Sequence, residues 1–372
     1  MISQRVSGAS NCRLLALVLA LLASSLVFAQ EAAPERQFGY DEGRIVEVDY
    51  EAHAAVVELS SGHVVTAELP MGGDFGVSEL PEFEAGQLVE LYFSPRPGNG
   101  ERLYVVVDWI RRPALYWLAG LFFVLSIAVA RFKGLRAFIA TGTSLSIVIG
   151  FIVPGILSGW NPILISLLGV GGILVLAIYF VHGLNWSTTA ALIGTFGAVL
   201  ATMALGLFFT ELAHLTGFGS EEAMMINIGA ADVSLKGLVL AGLLVGALGA
   251  LTDITIVQAS VVRELAHVNP SFGLKDLYGR AMNVGLDHIG SLVNTLVLAY
   301  TGAALPLLVL LHINEFTFGR ALNLELVAQE VIITLVGSIG LILAVPLTTV
   351  IASFMFRGDR LPIKEGELDH TH

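Results

Sequence analysis

The chain has almost no cysteine and few charged residues, and both shortages narrow the classes of protein to which it can belong. Of its 372 residues only one is cysteine and 13% are charged, whereas 55% are hydrophobic. This composition is typical of a multi-pass membrane protein with a soluble attachment. The single cysteine, Cys12, lies in a predicted leader, so we expect neither disulfides nor cysteine-based metal sites in the mature chain.

The sequence also lacks the common motifs of catalytic, metal and cofactor sites. It contains no Gly-rich phosphate-binding motif, no Gly-x-Ser-x-Gly nucleophile elbow and no His-Glu-x-x-His spacing. We therefore expect no enzymatic activity, no catalytic residues, no metal and no cofactor.

Acidic side chains are concentrated ahead of the most apolar part of the chain. The formal net charge is −12, and sixteen Asp or Glu against four Lys or Arg fall between Glu31 and Asp108. Because this balance repels phosphates, it argues against a nucleic-acid partner and against docking on anionic lipid. Carboxylates spread over strands are usually a solvated face, and we interpret them in that way.

The N-terminus has the layout of a signal peptide. Arg5 and Arg13 precede an apolar run from Leu14 to Phe28, which is short for a membrane-spanning helix. We predict a signal peptide over residues 1–29. The domain that follows would lie outside the cytoplasm whether or not the leader is cleaved.

Residues 39–110 have the pattern of a small β domain. Apolar and polar residues alternate in four stretches that turn residues separate. The alternating apolar residues are Val46, Val48 and Tyr50; Val65, Ala67 and Leu69; Val89, Leu91 and Phe93; and Leu103, Val105, Val107 and Trp109. About five strands in such a length predict a closed all-β barrel of the OB or SH3 kind. A barrel of this kind often acts as an interaction module, so a protein partner or a second copy of the chain is one expectation for it.

Residues 113–356 are predicted to form a helical domain in the lipid bilayer. Stretches of roughly 20 apolar residues, the length that crosses a bilayer, occur about seven times. They lie at 113–130, 135–157, 162–182, 187–210, 235–258, 289–311 and 330–356. Pro154, Pro306 and Pro346 fall within the second, sixth and seventh spans, where each removes a helix hydrogen bond.

Basic residues indicate the orientation of these spans. Three groups share one side of the predicted membrane: Arg131, Lys133 and Arg136; Arg263, Lys275 and Arg280; and Arg357, Arg360 and Lys364. The positive-inside rule places that side in the cytoplasm, so the β domain is expected outside and the tail, residues 357–372, inside. Arg111 and Arg112, just before the first span, are the exception.

The fifth predicted span carries an aspartate on a face of glycines. Gly246, Gly249 and Asp253 follow Gly242 by four, seven and eleven residues, so all four share one face of a helix. Because glycines let helices approach closely, we predict that these three glycines pack against a neighbouring helix. A carboxylate is costly in hydrocarbon, which favours a cation or proton site at Asp253 over a packing role alone.

A polar stripe on the sixth predicted span is the expected partner of Asp253. Its candidate solute- or ion-binding residues are Asp287, His288, Ser291, Asn294 and Thr295. We predict that the fifth and sixth spans pack directly, with Asp253 within side-chain reach of Asn294 or Thr295. Interhelical packing explains Asn294 equally well, and a solvated helix N-terminus explains Asp287 and His288 somewhat better.

Three stretches resemble the YibE/F family of bacterial multi-pass membrane proteins. They are residues 246–255 (GALGALTDIT), residues 282–302 (MNVGLDHIGSLVNTLVLAYTG) and residues 336–348 (VGSIGLILAVPLT). The similarity extends from about Arg44 to Ile351, with His288 and the turn after Asn185 as small departures. The resemblance implies the architecture and a bacterial inner-membrane location, and it implies no activity.

Three functions fit the sequence. A transporter or permease for a small solute or ion fits the spans, the proline kinks and the polar stripes. A membrane-embedded interaction or assembly component fits the outer β domain and the absence of an energy-coupling motif. An intramembrane aspartyl hydrolase would need two carboxylates about 3 Å apart, and the different depths predicted for Asp253 and Asp287 make it remote.

Overall fold

The computed structural model describes residues 38–70, 82–95, 102–219, 221–229 and 233–357. The chain divides between Arg131 and Phe132 into two compact units, and each is described by itself. The predicted signal peptide, residues 1–29, and the predicted tail beyond Arg357 lie outside the described residues.

The β domain is a closed barrel of five strands. They are β1 (Gly39–Asp49), β2 (Ala54–Leu59), β3 (Val64–Glu68), β4 (Leu88–Pro95) and β5 (Arg102–Trp109). Their order around the barrel is β1-β2-β3-β5-β4, and every neighbouring pair is antiparallel except β3 and β5. This confirms the predicted small barrel and corresponds to the OB kind.

The inward-facing residues of two strands differ from the predicted ones. In β1 the register shifts between Ile45 and Glu47, so that Ile45 is buried and Val46 is 52% exposed. In β5 the buried residues are Tyr104 and Val106, not the predicted odd-numbered set. A β-bulge moves the following side chains to the opposite face, and β5 is apolar on both faces, so alternation alone did not determine the phase.

The second unit and the segment before it are helical. The helices are α1 (Arg112–Ile147), α2 (Val153–Leu157), α3 (Pro162–His182), α4 (Trp186–Leu212), α5 (Glu221–Gly229), α6 (Leu235–Val268), α7 (Leu274–Ala303), α8 (Leu305–Ile313), α9 (Phe318–Leu322) and α10 (Glu325–Phe356). A π-helical turn, Val148–Ile152, joins α1 to α2.

By length and apolarity, five helical segments of the described chain can cross a membrane, or six if α7 and α8 form one bent span. The prediction of about seven spans is higher because it divided the first segment into two. Arg112–Leu157, which is 46 residues long, counts as a single segment in the structure. It is interrupted at Arg131, whose φ of 50° and ψ of −131° are not helical. The predicted first and second spans lie on either side of this residue.

All three prolines lie at the predicted places in the helices. Pro154 follows the π-helical turn, and Pro306 lies in the first turn of α8, where the helix axis bends by 57° from that of α7. Pro346 lies inside α10. Proline cannot donate a helix hydrogen bond, which accounts for the break between α7 and α8.

Glycines and threonines of α4 and α10 meet in a closely packed seam, and α6 packs against both of these helices. A Cβ at Gly340 of α10 would lie 3.2 Å from the Cβ of Thr202, and one at Gly194 of α4 would lie 3.0 Å from the Cα of Thr348. All four residues are buried. Small residues are the usual means by which membrane helices approach closely, and these positions leave no room for larger ones.

Buried hydrogen bonds join α6 to its neighbours. The hydroxyls of Thr195 on α4 and Thr255 lie 2.5 Å apart, and Gln258 Nε2 donates to the carbonyl of Ala281 on α7 (3.0 Å) and to Thr349 Oγ1 on α10 (2.7 Å). In hydrocarbon these polar groups would otherwise be unpaired. Gln258 therefore ties three helices together at one depth.

Candidate functional site

The glycine face of α6 is open along most of its length. Gly242, Gly246, Gly249 and Asp253 share this face, as predicted, and all four are exposed. Among the described residues, no atom lies within 4 Å of a Cβ built at Gly242 or Gly249. The predicted close helix packing is therefore absent at these two positions, and we call the open face from Gly242 to Asp253 the glycine lane.

Gly246 is the position in the lane where another helix does come close. The hydroxyl oxygen of Tyr300 on α7 lies 2.7 Å from a Cβ built there. A side chain at position 246 would displace that hydroxyl. Glycine thus makes room for a polar group and not for a helix backbone.

Asp253 lies at one end of the lane without a direct hydrogen-bonding partner. Within the described part of the chain no hydrogen bond or ion pair to its carboxylate is found, and the titratable group that interacts with it electrostatically is His182. His182 lies in the last turn of α3, which ends at Gly183, and it also interacts with Lys133. Three segments of the second unit therefore place an acid, an imidazole and an amine in one region.

The predicted stripe on α7 is exposed too. Only Leu277, Ala281 and Gly285 of this helix are buried. The predicted binding residues Asp287, His288, Ser291, Asn294 and Thr295 are all exposed.

The hydrogen bonds of this stripe stay within α7. Thr295 Oγ1 donates to the carbonyl of Ser291 (3.0 Å), and His288 Nδ1 lies 3.1 Å from the carbonyl oxygen of Val284. Arg280, at the start of the stripe, stacks over the ring of Phe272 with its Cζ 4.5 Å from the ring centroid.

The helices α6 and α7 pack directly, which confirms that part of the prediction. Gln258 of α6 lies against Gly285 of α7, and the two helices run antiparallel. Asp253 precedes Gln258 by five residues and Gly290 follows Gly285 by five, so Asp253 and Gly290 lie at about the same depth. Ser291 is thus closer in depth to Asp253 than Asn294 is. The predicted pairing of Asp253 with Asn294 or Thr295 is not among the described hydrogen bonds, because the stripe is offset by about one turn.

Sequence reasoning missed the contribution of α3 to this site. His182 ends the third predicted span, but its distance from Asp253 along the chain gives no indication that they meet. The sequence does show a histidine at the end of a span, at a depth similar to that of Asp253. That histidine can be assigned to the site only when α3 and α6 are known to pack against each other.

Together the barrel, the apolar helices and the intramembrane acid define a multi-pass helical membrane protein with a small all-β domain. The chain belongs to the YibE/F-like protein family, which matches residues 118–358. No curated protein and no solved structure matches the chain. Family membership therefore agrees with the resemblance seen in the sequence.

Proposed function

We propose that the chain is a transporter or permease for a small solute or ion, and that the glycine lane with Asp253 is its site. The observation that supports this most is the exposed carboxylate of Asp253 on a spanning helix, with which no Lys, Arg or His of the described residues forms an ion pair. A charged group facing lipid is costly, so such a residue normally faces water or a bound ion. The lane provides space beside it, because glycines there carry no side chains.

The polar stripe of α7 lines the proposed site on the side opposite the glycine lane of α6. Asp287 and Ser291 flank the depth of Asp253, and both are exposed on a helix that packs against α6. Their oxygens, with the imidazole of His182, are groups that can bind a cation or pass on a proton. No cluster of three acidic or histidine side chains suited to a metal occurs among the described residues.

The test is ion flux into liposomes that contain the full-length chain. We expect wild-type protein to conduct protons, Na⁺ or K⁺ and the Asp253→Asn variant to lose that flux while unfolding at the same temperature. Glu264→Gln, at an exposed position on the same helix, is the matched control and should behave as wild type. Equal flux in the Asp253→Asn variant would refute the proposed site.

We also propose that the barrel lies outside the cytoplasm and Arg357 inside. Both exceptions to the positive-inside rule are paired with acids: Arg111 with Asp108 at 2.8 Å, and Arg112 with Glu42. The Arg111 guanidinium lowers the pKa of the Asp108 carboxyl, which keeps that partner ionised. The positive-inside rule counts Lys and Arg near the span ends and not net charge, so the proposed orientation rests on the three basic groups at the other side, with Arg111 and Arg112 as exceptions.

Reporter fusions test this orientation. A reporter that is active only in the cytoplasm should give a strong signal after His372 and none after Gly100. A strong signal at Gly100 would contradict the topology.

An assembly role is the second candidate, and one feature of the barrel favours it. Tyr40 is 65% exposed and forms an edge-to-face pair with Tyr92 of the neighbouring strand, with ring centroids 5.5 Å apart. Exposed tyrosines are common anchors in protein interfaces. If partner binding were the function, Tyr40→Ser would abolish it and Asp253→Asn would not.

A further inference from the structure

A second carboxyl group lies in the spanning helices, and neither the sequence patterns nor the proposed site includes it. Glu330 lies on α10, is partly buried, and has no hydrogen bond or ion pair among the described contacts. The titratable group that interacts with it is Tyr300 on α7. This is the tyrosine whose hydroxyl occupies the space beside Gly246.

The depths of these groups follow from two contacts at the ends of the helices. Glu325, the first residue of α10, accepts a hydrogen bond from the backbone N–H of Gly217 at 2.6 Å. Gly217 in turn lies against the backbone of Leu235, the first residue of α6. The helices α6 and α10 therefore begin at about the same level.

Helical rise then gives the spacing of the polar groups along the membrane. At 1.5 Å per residue, Glu330 lies about 8 Å from that level, Gly246 about 16 Å and Asp253 about 27 Å. A hydrocarbon core is about 30 Å thick. The two acids thus lie near opposite boundaries, and the Tyr300 hydroxyl, beside Gly246, lies near the middle.

The space between the tyrosine and the inner acid is open. Gly246 and Asp253 are seven residues apart on one face of α6, and Gly249 between them has no described atom within 4 Å of a Cβ position. A glycine backbone bordered by a hydroxyl and a carboxylate is a polar surface that water can wet. Water there would connect Tyr300 to Asp253 without any rearrangement of side chains.

We propose that Glu330 and Tyr300 form an outer proton site, and that the ion moved through the glycine lane is a proton. The proposal rests on the transport function and the orientation proposed above and identifies the transported ion as a proton. The Glu330 carboxylic acid passes its proton through water to the Tyr300 hydroxyl oxygen, and the hydroxyl passes its own proton to water in the lane. Asp253 takes up that proton as a carboxylate, and the His182 imidazole accepts it and releases it to the cytoplasmic side. Each group ends in its starting protonation state once Glu330 is reprotonated from outside.

Two features favour a proton over a metal cation. A bound Ca²⁺ requires about six to eight oxygen ligands, and no group of three His, Cys, Asp or Glu side chains that could hold a metal ion occurs among the described residues. Hydroxyl and imidazole are also groups that both accept and donate protons.

Proton flux in liposomes tests the path through Glu330. With a pH-sensitive dye inside and a K⁺–valinomycin potential, Glu330→Gln and Asp253→Asn should each lower proton entry by at least about a hundredfold, as when a positioned proton-transfer group is removed. Tyr300→Phe should lower it less, because water can fill the gap. Glu211→Gln is the control and should match wild type, since Glu211 at the outer end of α4 is paired with Lys236.

The outcomes separate this inference from the proposed function. Wild-type proton entry in Glu330→Gln, with none in Asp253→Asn, overturns the outer site and leaves the transporter intact. Flux of Na⁺ or K⁺ without protons, lost in Asp253→Asn, overturns the proton as the ion and again leaves the transporter. No flux of any of these ions overturns both.

A labelling experiment on the wild-type chain avoids any folding defect of the variants. Dicyclohexylcarbodiimide is apolar and reacts with protonated carboxyl groups, so in nanodiscs it should modify Glu330, which starts as the carboxylic acid, and spare the ion-paired Glu211. Mass spectrometry of peptides gives the extent of labelling at each site. An unlabelled Glu330 would overturn the outer proton site.

Discussion

Glycines have opposite effects in two regions of the helical unit. In the seam between α4 and α10, Gly340 and Gly194 are buried and each meets a threonine. In the lane on α6 the glycines are exposed, and Gly249 meets no described atom within 4 Å of a Cβ position. Glycine thus allows close packing in the seam and leaves space in the lane.

Polar side chains of α6 differ in the same way between its packed side and the lane. On the packed side Gln258 is 1% exposed and donates hydrogen bonds to α7 and α10. Along the lane Asp253 is exposed and makes no described hydrogen bond. Polar side chains that form interhelical hydrogen bonds stabilise helix packing. Ionisable side chains without such partners are costly in a membrane and usually mark the path of a substrate, an ion or a proton.

The largest expected effect is a change that fills the seam. Gly340→Leu should destabilise the chain by more than the roughly 1–3 kcal/mol typical of overpacking, because its Cβ alone already meets Thr202. Thermal unfolding in detergent measures this effect. Gly340→Ala should cost less, and adding Thr202→Ala should restore part of the loss, because it removes two of the three crowding atoms. An unaltered Gly340→Leu protein would show that the seam is not closely packed.

The architecture was predictable because it depends on local patterns. Apolar stretches and turn residues determine where a span or a strand lies, and the small barrel and the helical membrane domain were predicted correctly. The number of spans was not, since five or six segments of the described chain can cross a membrane and about seven were predicted. The error in β1 has a local cause: the bulge after Ile45 turns Ile45 inward and Val46 outward, whereas Val48, beyond the bulge, packs against the core as predicted.

The site was less predictable, because it depends on which helices meet. The shared face of Gly246 and Asp253 follows from helical periodicity, and that part was predicted correctly. The neighbours of that face, His182 and Tyr300, come from helices whose packing no single-sequence pattern specifies. The expectation that glycines mark a packed face was wrong at Gly249 for the same reason.

A matched pair of amides gives an effect of intermediate size. Gln258→Leu should cost about 1–2 kcal/mol, since it removes two interhelical hydrogen bonds and leaves the Ala281 carbonyl without that donor. Asn294→Leu, on the exposed stripe of α7, should change stability by less than about 0.5 kcal/mol. Chemical or thermal unfolding of both variants in one detergent gives the comparison. Equal costs would mean that the stripe is covered in the membrane.

The smallest expected effect on stability comes from filling the lane. Gly249→Leu should leave unfolding unchanged within about 0.5 kcal/mol, because no described atom lies within 4 Å of a Cβ at this exposed position and leucine favours a helix more than glycine does. The same substitution would place a large apolar group between Tyr300 and Asp253, so flux through the lane should fall sharply while Gly249→Ala retains most of it. Unfolding and flux measured on the same preparations separate the two effects. A Gly249→Leu protein that unfolds readily would show that the lane is a packed face, and one that is stable with full flux would show that ions do not pass there.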